Sequence, residues 1–144
     1  MSSQGCTEID LLSGPQDSSA YCGTIANYLI PFVRAKHPRG FVFQQDNTSI
    51  HTSRETMEFL KDQNIAVMRW PALSPDLNPI KNLWGVLTRK VYVDGKQCSS
   101  VGELKAEILK QSQTIDNEVI LKLISSIKSR CIKVFQAKGS LTKL

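Results

Sequence analysis

The stretch from Phe41 to Trp84, FVFQQDNTSIHTSRETMEFLKDQNIAVMRWPALSPDLNPIKNLW, constrains the fold more than any other part of the chain. It opens with an apolar run, Phe41-Val42-Phe43, that leads into Gln44, Gln45 and Asp46. Such a run predicts a short buried strand, and open α/β sheets gather their ligands at the carboxyl ends of strands. Asp46 is a carboxylate delivered to that end. Thr52 or Ser53 can cap a helix to about residue 62, with Met57 and Leu60 facing inward. Ile65, Val67 and Met68 predict a second short buried strand. Strand, helix and strand follow one another over about 28 residues, which predicts a right-handed parallel crossover.

The segment 70–79 carries too much proline for regular structure. Its end opens a helix: Asn78 is a good N-cap and Pro79 suits the first turn. Lys81 then falls at the third helical position. Ile80, Leu83, Trp84 and Leu87 form an apolar stripe at i, i+3, i+4 and i+7, so the helix is expected to run to about residue 92. Trp70 and Trp84 are expected as core anchors. A strand-end carboxylate and a helix-start residue are thus expected to converge on one site.

Upstream, Ile9, Leu11 and Leu12 predict a short strand before the turn-like Ser13-Gly14-Pro15. Asp17, Ser18 and Ser19 offer caps for a helix over about 20–36, which Pro31 interrupts. His37 sits in a Pro/Gly loop and is expected to be exposed. Downstream, Asp94-Gly95 marks a turn, and Ser100 with Glu103 makes a capping box for a helix to about residue 112, through Leu104, Ile108 and Leu109. Asp116 can cap one last helix with Ile120, Leu123, Ile124, Ile127, Cys131 and Val134 on its inner face and Gly139 as its stop.

With 144 residues, 41% hydrophobic and 22% charged, the balance is that of one globular domain rather than a disordered chain. Cys6, Cys22, Cys98 and Cys131 are scattered, without a C-x-x-C pair, and read as reduced thiols of an intracellular protein. Neither His37 nor His51 has a cysteine at ligand spacing, so a zinc site is not expected. The first ten residues lack the apolar core of a signal peptide, and no apolar run approaches the ~18 residues of a membrane span. Charge is unevenly spread. Residues 81–144 hold twelve Lys/Arg and five Asp/Glu, a net of +7, against −2 for residues 1–80. A basic half suits a polyanion such as DNA, although scattered lysines more commonly mean a solvated helix face.

The ordered series QQDN, HTSR, WPALSPDLNPI and NLWG resembles the DDE domain of mariner-type transposases, the superfamily that includes the nematode Tc elements. The likeness runs from about residue 8 to the C-terminus. It implies an α/β, partial ribonuclease H-like fold: a few-stranded sheet with flanking helices, and a helical C-terminal region. Residues 1–17 would be a poorly patterned lead, and 18–144 a truncated DDE domain with a basic helical part over 79–144. The resembled enzymes cut and join DNA with three carboxylates and two Mg2+ or Mn2+ ions. Asp46 matches the second carboxylate, which bridges both metals. The third position falls on Lys81, with 34 residues between them, so the spacing is kept and the chemistry is not. An ammonium only donates, its sign is unfavourable at a helix N-terminus, and the exchange alters local charge by two units. The first aspartate falls upstream of the matched region; Glu8, Asp10 and Asp17 sit in no matching motif. The family commonly has Asn-Ala-Pro-x-His after the second carboxylate, so Thr48 and Ser49 depart from that form. His51 either neighbours the metal site or holds the loop by hydrogen bonds.

The resemblance therefore implies a transposase-derived domain that binds DNA, cuts nothing, holds its cations weakly and works in the nucleus. Arg89, Lys90, Lys122, Lys128, Arg130 and Lys133 are the expected DNA contacts, although Arg89 and Lys90 also suit a helix C-terminus. Two alternatives stand: a residual metal-dependent strand-transfer or endonuclease activity, and a module that associates with intact transposase chains. Missing early strands would leave a sheet edge open and the fold marginally stable.

Overall fold

Two strands pair where the apolar runs expect them, but they are not buried as expected: Val42 is 58% exposed and Met68 42%. In the computed structural model, which describes residues 1–72 and 74–137, β1 (Val42–Phe43) and β2 (Ala66–Val67) are parallel, with Val42 opposite Ala66 and Phe43 opposite Val67. The Met68 N–H donates to the Phe43 carbonyl at 2.8 Å and closes the ladder. The chain divides into two compact units, Asp10–Leu73 and Met1–Ile9 with Ser74–Leu144.

The Asp10–Leu73 unit buries one core. Ile25, Leu60 and Ile65 form its centre, with Tyr21, Leu29, Phe41, Phe43, Phe59 and Val67 packed against them. Helix α1 (Ser18–Thr24) starts on Asp17, whose carboxylate accepts from the Ala20 N–H at 2.8 Å. A π-helical turn over Ile25–Leu29 then leads into α2 (Ile30–Lys36). Pro31 explains the wide turn. Its ring would clash with a carbonyl four residues back in a regular α-helix, and the extra residue of a π-turn relieves that crowding. No strand forms over residues 9–12, against expectation. Asp10 instead accepts from the Thr24 hydroxyl at 2.8 Å, so a side chain tethers this segment in place of a ladder. His37 is half-buried, its ring 6.0 Å from that of Phe32, rather than exposed.

After β1 come α3 (Ser49–Thr52) and α4 (Arg54–Asp62). Ser53 caps α4 through the Thr56 N–H at 3.2 Å. Leu60 is fully buried as expected, but Met57 is exposed and Thr56 takes the inner position. Thr56 and Leu60 stand four residues apart on one face, and Met57 lies a further ~100° around the helix. The buried hydroxyl is satisfied by donating to the Ile50 carbonyl at 2.7 Å.

In the other unit, a 3-10 turn over Pro75–Leu77 precedes α5 (Ile80–Val91). Asn78 Oδ1 accepts from the Ile80 N–H at 3.3 Å. Lys81 is the second residue of α5, one place earlier than expected. Leu83, Leu87 and Val91 are buried at i, i+4 and i+8, which turns Trp84 outward at 48% exposure; it is not a core anchor. The Asp94-Gly95 turn is present, both residues having positive φ. Helix α6 (Val101–Ser112) has Ser100 accepting from the Glu103 N–H at 3.1 Å, while Glu103 reaches back to the N–H and hydroxyl of Ser99, at 2.7 Å each. Its buried residue is Glu107, and Leu109 is exposed. Lys96 and Gln111 each donate to Glu107 at 2.7 Å and hold its pKa below the ordinary carboxylate range.

The single last helix expected from the sequence is two: α7 (Asn117–Ser125), capped by Asp116 through the Glu118 N–H, and α8 (Ile127–Gln136). The break falls at Ser126, whose hydroxyl donates to the Leu123 carbonyl at 2.6 Å and accepts from Arg130 Nε at 2.7 Å. A serine that bonds its own backbone this way competes with the helical ladder. The break also turns Cys131 to solvent, off the inner face expected of it. Gly139, the expected stop, lies outside the described residues.

Candidate active site

Asp46 stands three residues beyond β1, at its carboxyl end. Its Oδ1 accepts from the Thr48 N–H at 3.2 Å and the Thr48 hydroxyl at 2.7 Å. An Asp that bonds its own backbone two residues on makes an Asx-turn, here the start of α3. His51 Nδ1 lies 2.8 Å from the same oxygen. An ionised carboxylate only accepts, so Nδ1 carries the proton in this contact. These donors hold the Asp46 carboxyl pKa below its ordinary value; the Thr48 hydroxyl contributes most, partial burial opposes it, and the Thr48 N–H and His51 add to it.

The ring of His51 is itself held. Tyr21 from α1 stacks on it with centroids 4.2 Å apart and planes 29° from parallel. The Tyr21 hydroxyl donates to Gln45 Oε1 at 3.0 Å, and Gln45 Nε2 donates to the His51 carbonyl at 2.9 Å. Burial, and then the nearby charge of Asp46, raise the Tyr21 phenol above its ordinary range, so it remains a donor. Asn47 Nδ2 donates to the Trp70 carbonyl at 2.9 Å and ties the loop to the segment after β2. Of the two roles open to His51, this geometry is that of a histidine holding the loop. Sequence reasoning missed Tyr21 and Gln45. The signal for Tyr21 was its i, i+4 spacing to the buried Ile25, which begins the π-helical turn.

Lys81, in the other unit, is exposed in the first turn of α5, a turn that contains no acidic residue. Among the described residues, no three of His, Cys, Asp or Glu gather as a ligand set. A two-cation centre on hard oxygen ligands needs more than one carboxylate. Asp46 is one, and no cluster of three such groups forms around it among the described residues, so the residues present do not fit such a centre.

The expected DNA contacts separate on burial. Arg89 and Lys90 lie in the last turn of α5, the first exposed and the second half-buried. Lys122 is exposed and pairs with Glu118 at 2.8 Å, while Lys128 and Lys133 are exposed on α8. Arg130 is only 6% exposed. Its Nε donates to Ser126 and its Nη1 to the Asp76 carbonyl at 3.0 Å, so it braces the fold.

Comparison with known proteins agrees with this architecture. The family described as DDE superfamily endonuclease matches residues 24–105. The chain is 37% identical over 133 residues to the Tc3 transposase of Caenorhabditis elegans, covering 92% of this chain and 40% of that protein. It is 39% identical over 105 residues to the Tc1 transposase of the same species, covering 73% and 38%. The chain thus spans about two fifths of the length of these relatives. The crystal structure of the catalytic domain of Mos1 mariner transposase superposes with a TM-score of 0.86 at 21% identity, over 99% of this chain and 73% of that one. A Mos1 paired end complex with Mn gives 0.85, over 98% and 43%. At that identity the likeness establishes the fold, a helix-rich ribonuclease H-like domain around a small sheet. By a match that covers more than half its length, the chain belongs to the DDE superfamily endonuclease family, with Tc1/mariner transposases as its relatives.

Proposed function

We propose that this chain is a transposase-derived domain that binds DNA without cutting it. The observation that carries the proposal is Lys81, an ammonium at the position where the resembled motif places its third carboxylate. A lysine cannot ligate a cation and repels one. Mos1 catalytic domains have been solved with Mg and with Mn; on this reading the present chain holds neither tightly. The poor fit of the Asp46 surroundings to a two-cation centre supports the same reading.

Affinity for DNA rests on the net +7 of residues 81–144 and on the exposed cations Arg89, Lys122, Lys128 and Lys133, with Lys90 beside them. Solved relatives include Mos1 paired end complexes and a pre-cleavage transpososome. That likeness supports DNA and related transposase chains as partners; a domain that binds chromosomal DNA would act in the nucleus. Supercoiled plasmid incubated with the purified chain and Mg2+ or Mn2+ is expected to remain intact, and nicking above a protein-free control overturns the inactivity. Fluorescence anisotropy with duplex DNA is expected to show log affinity falling linearly with log salt. Absent or salt-independent binding overturns the DNA-binding half.

A further inference from the structure

We propose that the Thr48 hydroxyl, added to the His51 ring, has taken over Oδ1 of Asp46, so that this oxygen anchors its own loop in place of receiving a cation. The inference rests on the inactive reading above and adds to it a cause separate from Lys81. Three donors meet on one oxygen: the Thr48 hydroxyl at 2.7 Å, the His51 ring at 2.8 Å and the Thr48 N–H at 3.2 Å. A magnesium ion taking that oxygen as a ligand would approach it to about 2.0–2.1 Å. There it would meet the positive ends of an O–H and two N–H groups. Two of the three do not swing away freely. The Thr48 N–H is fixed by the Asx-turn, and the His51 ring is stacked on Tyr21. The backbone of His51 is gripped by the buried Gln45, which Tyr21 holds in turn. Asn47, between the carboxylate and its donors, is pinned to Trp70.

One oxygen of Asp46 is thus already satisfied by hydrogen bonds from the protein. The lowered pKa of its carboxyl is in keeping with that, the Thr48 hydroxyl being the largest cause. The contacts span α1, the end of β1 and α3, so the anchored carboxylate also joins three elements of its unit.

The test uses the whole chain, with Mn2+ as the probe, read by electron paramagnetic resonance, and amide hydrogen exchange of residues 46–52 in metal-free buffer. Thr48→Ala and Thr48→Val are both expected to speed exchange of that loop by roughly tenfold or more, as loss of a charge-assisted hydrogen bond implies. Thr48→Ser, which keeps the hydroxyl, is expected to exchange as the wild type does, and so is Lys81→Glu. Wild type and Lys81→Glu are both expected to bind Mn2+ weakly, and the double variant Thr48→Ala/Lys81→Glu at least about tenfold more tightly than Lys81→Glu alone. Unchanged exchange in both Thr48→Ala and Thr48→Val, or equal Mn2+ affinity in Lys81→Glu and the double variant, overturns the proposal. Tight Mn2+ binding by the wild type instead overturns the inactive reading itself, and it is seen in the unmodified protein before any variant is compared.

Discussion

At the scale of residues, Asp46 and Thr56 show how polar groups organise the smaller unit. The Asp46 carboxyl is held below its ordinary value of 3.8 in the folded chain, chiefly by the Thr48 hydroxyl. A depressed folded value means that the carboxylate contributes stability above the unfolded pKa and loses it as pH falls through the folded one. The stability gap between wild type and Asp46→Asn is therefore expected to be constant above about pH 5 and to close below about pH 4. Urea melts between pH 6 and pH 3 measure it; a gap that does not change with pH would show that ionisation is not what matters there. Thr56 is fully buried, donates to Ile50 and meets the Ser53 hydroxyl at 3.0 Å. Thr56→Val keeps the shape and removes the hydroxyl. It is expected to cost about 1–3 kcal/mol, the penalty of leaving buried partners short of a bond. Circular dichroism melts of the variant would read this directly, and a loss under about 0.5 kcal/mol would rule it out.

Among the elements, α8 is placed by a charge rather than by an apolar stripe. Arg130 sends Nε to Ser126 at the α7–α8 break and Nη1 to the Asp76 carbonyl in the 3-10 turn before α5. Two bonds in two directions suit a guanidinium fork and not an ammonium. Arg130→Ala is expected to destabilise by about 1.5–3 kcal/mol, and Arg130→Lys to recover less than half of that. Denaturant titration measures both, and full recovery by lysine would show that only charge is needed. The elements also show what a linear pattern can reveal. The two strands, the Asp17, Ser53, Ser100 and Asp116 caps and the Asp94-Gly95 turn depend on residues within a few positions of one another, so they were legible. The break at Ser126 was not, because it depends on Arg130 reaching both its own helix and a carbonyl 54 residues away. Trp84 was assigned inward by its spacing, but Leu83, Leu87 and Val91 fill the buried face of α5 without it.

Over the whole molecule, charge is the property most open to test. Net +7 over residues 81–144 against −2 over 1–80 makes residues 81–144 the half on which the proposed DNA binding would fall. Lys128→Glu with Lys133→Glu is expected to weaken DNA binding and to lower the salt slope by about two, since each lysine would otherwise neutralise one phosphate. Anisotropy titrations at several salt concentrations decide it, and an unchanged slope would place the DNA-binding surface elsewhere. Ile132 and Phe135 of α8 remain exposed, Phe135 at 84%, so apolar surface on this helix is not drawn into its unit's core.

The sequence by itself determined the family, the parallel pair of strands, most of the caps and Lys81, a lysine where the resemblance expects an acid. Each of these is written in residue identity or in spacing along the chain. Tertiary structure alone decided that Arg130 lies inside, that Met57 and Trp84 face out, and that Asp46 commits its Oδ1 to Thr48 and His51. The physical reason is that a side chain's partners are chosen by what the fold brings beside it. Tyr21 and Gln45, 24 residues apart, meet at 3.0 Å to lock the histidine on which Asp46 leans.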